Sequence, residues 1–291
     1  MQSNNLLTRD PVAVAGEVQR IYQRMFPGAG CFFVPQAFGW AIDSFTGFFS
    51  DYQPVDTLYH DFEHTLQGTL CLARILFGRH CAEAKPALTA RYFELGLLAI
   101  LLHDTGYLKK WDDTQGTGAK YTAIHVGRSA EFAEKLLSEK KFTREGIRAV
   151  QNMIRCTGVD ASLDKIPFEN ELEKITGFAL GTADLVGQMA AADYVDKLPV
   201  LYNEFAEAAA YARNHNHFIA TFSSAEDLMA KTPLFWKKNV LGKLEHDFGG
   251  MYQFLNSPYP DGPNFYLDCI EANMERLRER MAMKQVEPVK V

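Results

Sequence analysis

Residues 92–106 read YFELGLLAILLHDTG, an almost unbroken apolar run that ends in a histidine and an aspartate. From Leu95 to Leu102, only Gly96 interrupts the run. A helix that is apolar on every side has to lie in the centre of a larger bundle. Imidazole and carboxylate groups are rarely buried without a partner. The pair His103-Asp104 therefore predicts a shared cation at the end of a core helix.

The rest of the chain shows helical periodicity and no persistent alternation of the kind that predicts strands. We therefore expect an all-α fold, a single helical domain over residues 1–291. Its metal-site core would span about 55–210, and a C-terminal helical extension about 220–283. The predicted helices are 11–24, one within 31–50, 56–79, 92–104, 121–139, 143–156, 167–180, 189–213, 233–247 and 264–283.

Composition limits the function classes. Of the 291 residues, 47% are hydrophobic and 23% charged, which is typical of a folded globular protein. A net charge of −6 argues against binding to a nucleic acid polymer, which needs clustered Lys and Arg. No apolar run approaches the ~20 residues that span a membrane. The aromatic-rich segments 31–50 and 252–266 can either roof a pocket or form the face of a homodimer.

The five cysteines are scattered and lack CxxC spacing, which predicts free thiols in a reducing compartment. The N-terminal residues lack the basic and apolar regions of a signal peptide. We therefore expect a cytoplasmic protein.

Two further histidines are predicted on the helix that starts after Pro54, with Asp56 as its N-cap. His60 and His64 would stand one turn apart, with Cβ atoms ~5–6 Å from each other. The polar, glycine-bearing segment 109–120 follows the His103-Asp104 pair, and we expect it to be an exposed loop that can act as a lid.

Asp184 stands among Ala183, Leu185 and Val186, so we expect its carboxylate to be buried and partnered. Combined with His64, His103 and Asp104, it gives two imidazoles and two carboxylates. This donor set suits Zn²⁺, Mn²⁺, Fe²⁺ or Mg²⁺, and the lack of thiolates disfavours a structural zinc. A bound ion lowers the pKa of water toward ~7 and so supplies hydroxide. Asp104 has two oxygens and can bridge a second ion.

The dipeptide His-Asp is weak evidence by itself, because it occurs three times, at 60–61, 103–104 and 246–247. In the first pair, Asp61 is turned away from the side of the helix that carries the two histidines. The third pair lies in a segment rich in Lys and Glu, which is typical of a solvated helix end. The histidines at 80, 215 and 217 are predicted at surface or cap positions. Only the pair at 103–104 ends an apolar helix.

Taken in order, YHDFEH at 59–64, His103-Asp104 and Ala183-Asp184-Leu185 resemble the signature of HD-domain metal-dependent phosphohydrolases. The Tyr-His-x-x-x-His form is most similar to the cyclic-nucleotide phosphodiesterase branch. The resemblance covers about residues 55–210 and implies a helical bundle of that type. It also implies one or two divalent ions held by four ligands, namely His64, His103, Asp104 and Asp184.

The same resemblance implies catalytic roles for His60 and Asp104. His60 matches the residue that protonates the leaving-group oxygen, a role that suits an imidazole. In other branches two later histidines bind a second metal; here His125 matches the first of them and Cys156 occupies the later position. His125, Arg128 and Lys109 are then candidates for contacts with metal-bound water or with substrate phosphate.

These observations favour a hydrolase that cleaves a phosphoester of a small phosphorylated molecule, with a nucleotide as the expected substrate. An HD-type iron oxygenase acting on an organophosphonate or a cyclitol is the second interpretation. The third is a non-catalytic, metal-stabilised module that binds a nucleotide.

Overall fold

The predicted all-α architecture is confirmed. The computed structural model describes residues 8–158, 161–211 and 222–286, and their regular elements are all helical. Residues 212–221, which include His215 and His217, lie outside the described residues. The α-helices are α1 (Pro11–Met25), α2 (Phe33–Phe45), α3 (Phe62–Cys81), α4 (Ala90–Leu102), α5 (His125–Glu139), α6 (Arg144–Ile154), α7 (Glu171–Met189), α8 (Tyr194–Tyr211), α9 (Ala225–Phe235) and α10 (Phe265–Val286).

Helix α3 begins later than the sequence predicts. Its N-cap is Asp61, whose carboxylate accepts a hydrogen bond from the backbone N–H of His64 at 2.8 Å. Asp56 instead accepts a hydrogen bond from Gly118 N at 2.7 Å, so its predicted capping role is wrong. The helix is capped by Asp61 rather than by Asp56, because Asp61 lies closer to the apolar run. As a consequence, His60 lies in the loop before the helix and His64 in its first turn.

Helix α4 is the centre of the bundle, as its composition predicts. Residues 95–102 are all buried, and α4 packs against α3, α6 and α7. Helices α3 and α7 also contact each other directly, because glycines lie between them. A Cβ at Gly187 would come within 2.9 Å of the Gln67 carbonyl oxygen. This close approach brings the start of α3 and the C-terminal turns of α7 to the end of α4.

The C-terminal part packs onto the same core and completes a single helical domain. Helix α10 contacts α7, α8 and α9, and Trp236 is buried while its indole N–H donates to Glu271 at 2.7 Å. All five cysteines are free, as predicted. Within the described residues, none of the helices combines the length and hydropathy needed to cross a lipid bilayer.

The segment 109–120 is only partly the exposed loop that we expected. Its first side chain, Lys109, is buried, pairs with Asp56 at 2.8 Å and donates to Gly116 O at 2.7 Å. At its far end, Thr117 donates to the carboxylate of Glu207 on α8. Residues between these two anchor points are largely exposed. The loop is therefore tied to the body of the protein at both ends.

Candidate metal centre

Four predicted site residues from three helices meet at one point. His64 comes from α3, His103 and Asp104 from the end of α4, and Asp184 from α7. His64 Nε2 lies 3.2 Å from Asp104 Oδ2 and 3.3 Å from Asp184 Oδ1. His103 Nε2 lies 3.3 Å and 3.4 Å from the same two oxygens. All four side chains are buried.

Two atoms in this group have no hydrogen-bond partner, although both are buried: His103 Nε2 and Asp104 Oδ2. The other ring nitrogen, His103 Nδ1, donates to Ile100 O at 2.7 Å, so the lone pair of the imidazole is on Nε2. Buried polar atoms without partners are rare and costly in folded proteins. Together with His64, these residues present ligand atoms within 4.8 Å of one another. The residues therefore fit a divalent cation bound by nitrogen and oxygen.

The charges in the group favour a cation as well. Burial lowers the pKa of His64, but the nearby carboxylates of Asp104 and Asp184 outweigh it and raise that pKa to about 10. For Asp104 and Asp184, burial raises the pKa, but the neighbouring imidazoles hold it well below its usual range. Both carboxylates are thus ionised in the interior, and a divalent cation would balance their charge in place of the protonated imidazoles.

Glu204 of α8 belongs to the site, and the sequence interpretation missed it. Its Oε2 accepts a hydrogen bond from His60 Nδ1 at 2.6 Å, and its Oε1 accepts from Leu58 N at 2.8 Å and Tyr59 N at 2.7 Å. The carboxylate thus fixes both the imidazole and the loop that carries it. One signal was present, because Glu204 lies on the buried side of α8 that includes Ala208.

A buried tyrosine separates two of the histidines. The ring of Tyr107 stacks on His60 with centroids 4.4 Å apart and on His125 with centroids 4.8 Å apart. His125 Nδ1 donates to Thr122 O at 2.7 Å, and its Nε2 lies 4.0 Å from Asp104 Oδ1. Burial lowers the pKa of His125, so its Nε2 is an acceptor at neutral pH. His125 therefore lies beside the four converging residues, with its lone pair on the Asp104 side.

Lys109, Arg128 and Cys156 do not line the cavity at this site. Arg128 donates to Gly106 O at 2.7 Å and Leu108 O at 2.8 Å, and so fixes the turn that follows Asp104. The Cys156 thiol points at Asn152 O, and burial raises its pKa to about 12. Both basic side chains are thus bound by backbone carbonyls or by Asp56, and their contact with metal-bound water or phosphate stays a prediction.

A cavity of about 370 Å³ opens from the candidate metal centre. One end is formed by His60, His64, Asp104, His125 and Asp184. The other end is apolar and is formed by side chains of α7, α8, α9 and residue 222. Neither aromatic-rich segment, 31–50 or 252–266, contributes a lining residue, so neither is the roof of this cavity. The predicted C-terminal extension does line it, together with the predicted core.

The fold and the site define an all-helical protein with a buried His/Asp group that can bind a metal. Residues 111–251 match the model of a family described as Npun_R2479-like. The match covers slightly less than half of the chain; it includes His125 and Asp184 but begins after His103-Asp104. Comparison with curated proteins gives no match, and comparison with solved structures gives none either.

Proposed function

We propose that the protein is a metal-dependent phosphohydrolase that cleaves a phosphoester of a small phosphorylated molecule. The observation that carries the proposal is the convergence of His64, His103, Asp104 and Asp184, with partnerless ligand atoms, beside a cavity that His60 also lines. The resemblance of the same residues to the HD-domain signature supports this reading. Zn²⁺, Mn²⁺, Mg²⁺ and Fe²⁺ all suit the donor set.

The four residues would hold one divalent ion, and Asp104 and His125 are placed to share a second one. A bound divalent ion supplies a Lewis acid next to the phosphate and lowers the pKa of water. The remaining chemistry falls to side chains of the protein. His125 Nε2 can accept a hydrogen bond from water or from a protonated phosphate oxygen.

His60 is the proposed general acid. Because Nδ1 donates to Glu204, the proton available to substrate is on Nε2 of the imidazolium. The carboxylate of Glu204 stabilises the charged imidazole, and Tyr107 fixes the plane of its ring. Transfer of the Nε2 proton to the ester oxygen would let the alcohol leave as a neutral molecule.

The test is metal quantification on protein purified without chelator, followed by a phosphoester screen with the metal that is found. We expect stoichiometric metal, phosphate release from at least one ester, and loss of both after chelation. Metal removal should also lower the melting temperature, because a ligand present at a thousand times its Kd stabilises by about 4 kcal/mol.

Other outcomes would contradict the proposal. Two irons per chain with oxygen consumption would instead support an HD-type oxygenase. Ligand-induced stabilisation without product across the whole panel would support a non-catalytic nucleotide-binding module.

A further inference from the structure

We propose that the cavity binds an apolar organic group, so that the substrate is an alkyl or aryl phosphoester rather than a nucleotide. This inference rests on the proposed function, since it concerns the leaving group of the same reaction. It replaces the nucleotide that the family resemblance led us to expect. The evidence comes from the wall of the cavity away from the metal centre.

That wall consists mainly of hydrocarbon. Helix α7 contributes Leu185, α8 contributes Leu201 and Phe205, and α9 contributes Leu228 and Phe235. Leu228 is buried, and the other four side chains are half-buried. A small-molecule site of this kind gains affinity by removing apolar surface of the ligand from water.

The threonine hydroxyls of the described wall already donate hydrogen bonds within the protein. Thr122, Thr157 and Thr232 each donate to a backbone carbonyl three or four residues earlier, at 2.6 Å, 2.8 Å and 2.7 Å. These bonds lie within their own turns or helices, so the hydroxyl protons point away from a ligand. Threonine therefore adds little polarity to the described wall.

The amide of Gln188 is used as well. Its nitrogen donates to Asp184 O at 3.0 Å, and its oxygen accepts from the Tyr59 hydroxyl at 2.7 Å. A side-chain amide can recognise adenine, because it offers a donor and an acceptor side by side. Here the second N–H also donates, to Asp184 Oδ1 at 3.4 Å, so both donors and one of the two acceptor positions are used by the protein itself.

A nucleoside would therefore lose hydrogen bonds to water and regain few in the described part of the cavity. Tyr194 and the exposed Arg155 also line the described wall, and Arg155 Nη1 already donates to Asn152 Oδ1 at 2.8 Å. Burying polar groups without partners is costly, so such a site discriminates against a base and ribose. A hydrocarbon group meets no such cost.

The experiment is a binding series with n-alkyl phosphonates from ethyl to octyl, in which the C–P bond resists hydrolysis. Affinity is measured by calorimetry on the metal-loaded protein, with adenosine and guanosine monophosphates as comparison ligands. We expect Kd to fall by about fourfold for each added methylene until the cavity is filled. A flat series, or nucleotides that bind more tightly than octyl phosphonate, would overturn the proposal.

Substitutions in the cavity wall test whether Leu201 contributes to the dependence of Kd on chain length. Leu201→Asn should weaken octyl phosphonate by about tenfold and leave ethyl phosphonate unchanged, whereas Leu201→Met should retain the series. The matched control is Val200→Asn, which changes the next residue of α8 but does not line the cavity. Equal losses of affinity for octyl phosphonate in Leu201→Asn and Val200→Asn would contradict the assignment of Leu201 to the binding wall.

The two proposals fail in different ways. If the chain-length series holds but no phosphoester is hydrolysed, the proposed function is wrong and the apolar pocket stands. If nucleotides are bound and hydrolysed best, the proposed function stands and the apolar pocket is wrong.

Discussion

The pairs at 103–104 and 246–247 have the same two residues and opposite surroundings. His103 and Asp104 are buried at the end of α4, and their side chains face His64 and Asp184 from two other helices. The pair at 246–247 is exposed, as its sequence context predicts. Thus the dipeptide itself does not make a site. Burial at the end of an apolar helix does, because it forces the two polar side chains to find partners in the core.

The comparison is tested most strongly by removing the carboxylate from each pair. Asp104→Ala should abolish bound metal and lower turnover by at least about a hundredfold, because it removes a proposed ligand. Asp247→Ala should leave both at the wild-type level. Metal analysis and phosphate release measure the two effects. Wild-type turnover in Asp104→Ala would rule out the assignment of the site.

The buried pair also differs in having a second histidine–carboxylate pair, His60 and Glu204, beside it. Glu204→Gln keeps an acceptor for Leu58 N and Tyr59 N but presents an amide N–H to His60. We expect turnover of an alkyl phosphoester to fall by about a hundredfold. The matched control on α8 is Glu207→Gln, whose carboxylate binds Thr117 instead.

The leaving group distinguishes this positioning role from a general loss of structure. A p-nitrophenyl ester departs without protonation, so Glu204→Gln and His60→Asn should slow it much less than an alkyl ester. Equal losses on both esters would count against proton donation by His60.

A third difference between the two pairs is that the turn after His103-Asp104 is tightly packed. Substitution of Gly106 in this turn should therefore change the free energy of unfolding. A methyl group at Gly106 would lie 2.0 Å from His125 O, so Gly106→Ala should destabilise by about 1–3 kcal/mol. Gly127 on α5 has no atom near its missing Cβ, and Gly127→Ala should stabilise by up to about 1 kcal/mol. Denaturant unfolding measures both changes. A neutral or stabilising effect of Gly106→Ala would show that the turn is not constrained.

The smallest expected effect concerns the reactivity of the cysteines. It should differ between buried and exposed thiols, and its measurement does not alter the candidate site. Burial raises the pKa of Cys156 to about 12 and also raises that of Cys71, so at pH 8 neither presents a thiolate. Cys31 and Cys81 are exposed. A thiol reagent should label the exposed pair in the folded protein and the buried pair only after unfolding. Mass spectrometry of the labelled peptides checks the order.

The sequence predicted the parts of the site that depend on local chemistry. The apolar run before His103 predicts a core helix, and the helix predicted to begin at residue 143 does begin there, with Thr143 as its N-cap. The start of α3 was misplaced, because Asp56 and Asp61 both suit a cap and only tertiary contacts decide between them. The four proposed ligands converge in the structure, while their occupation by metal stays a prediction.

Long-range contacts explain what the sequence interpretation missed. Glu204 bonds to His60 across 144 positions of the chain, and no local pattern indicates which loop it contacts. The apolar end of the cavity likewise forms only when α7, α8 and α9 pack together. Periodicity identifies the buried side of each helix but not the empty space that their buried sides leave.

The glycine contact between α3 and α7 has a consequence for the choice of ion. Because Gly187 lets the two helices touch, it limits the distance between His64 and Asp184. Gly187→Ala would push the helices apart and enlarge the coordination sphere. Mn²⁺ is larger than Zn²⁺ and is among the ions that suit this donor set, so the variant should bind Mn²⁺ at the expense of Zn²⁺. Competition between Zn²⁺ and Mn²⁺ would measure this dependence on ionic radius at the proposed site.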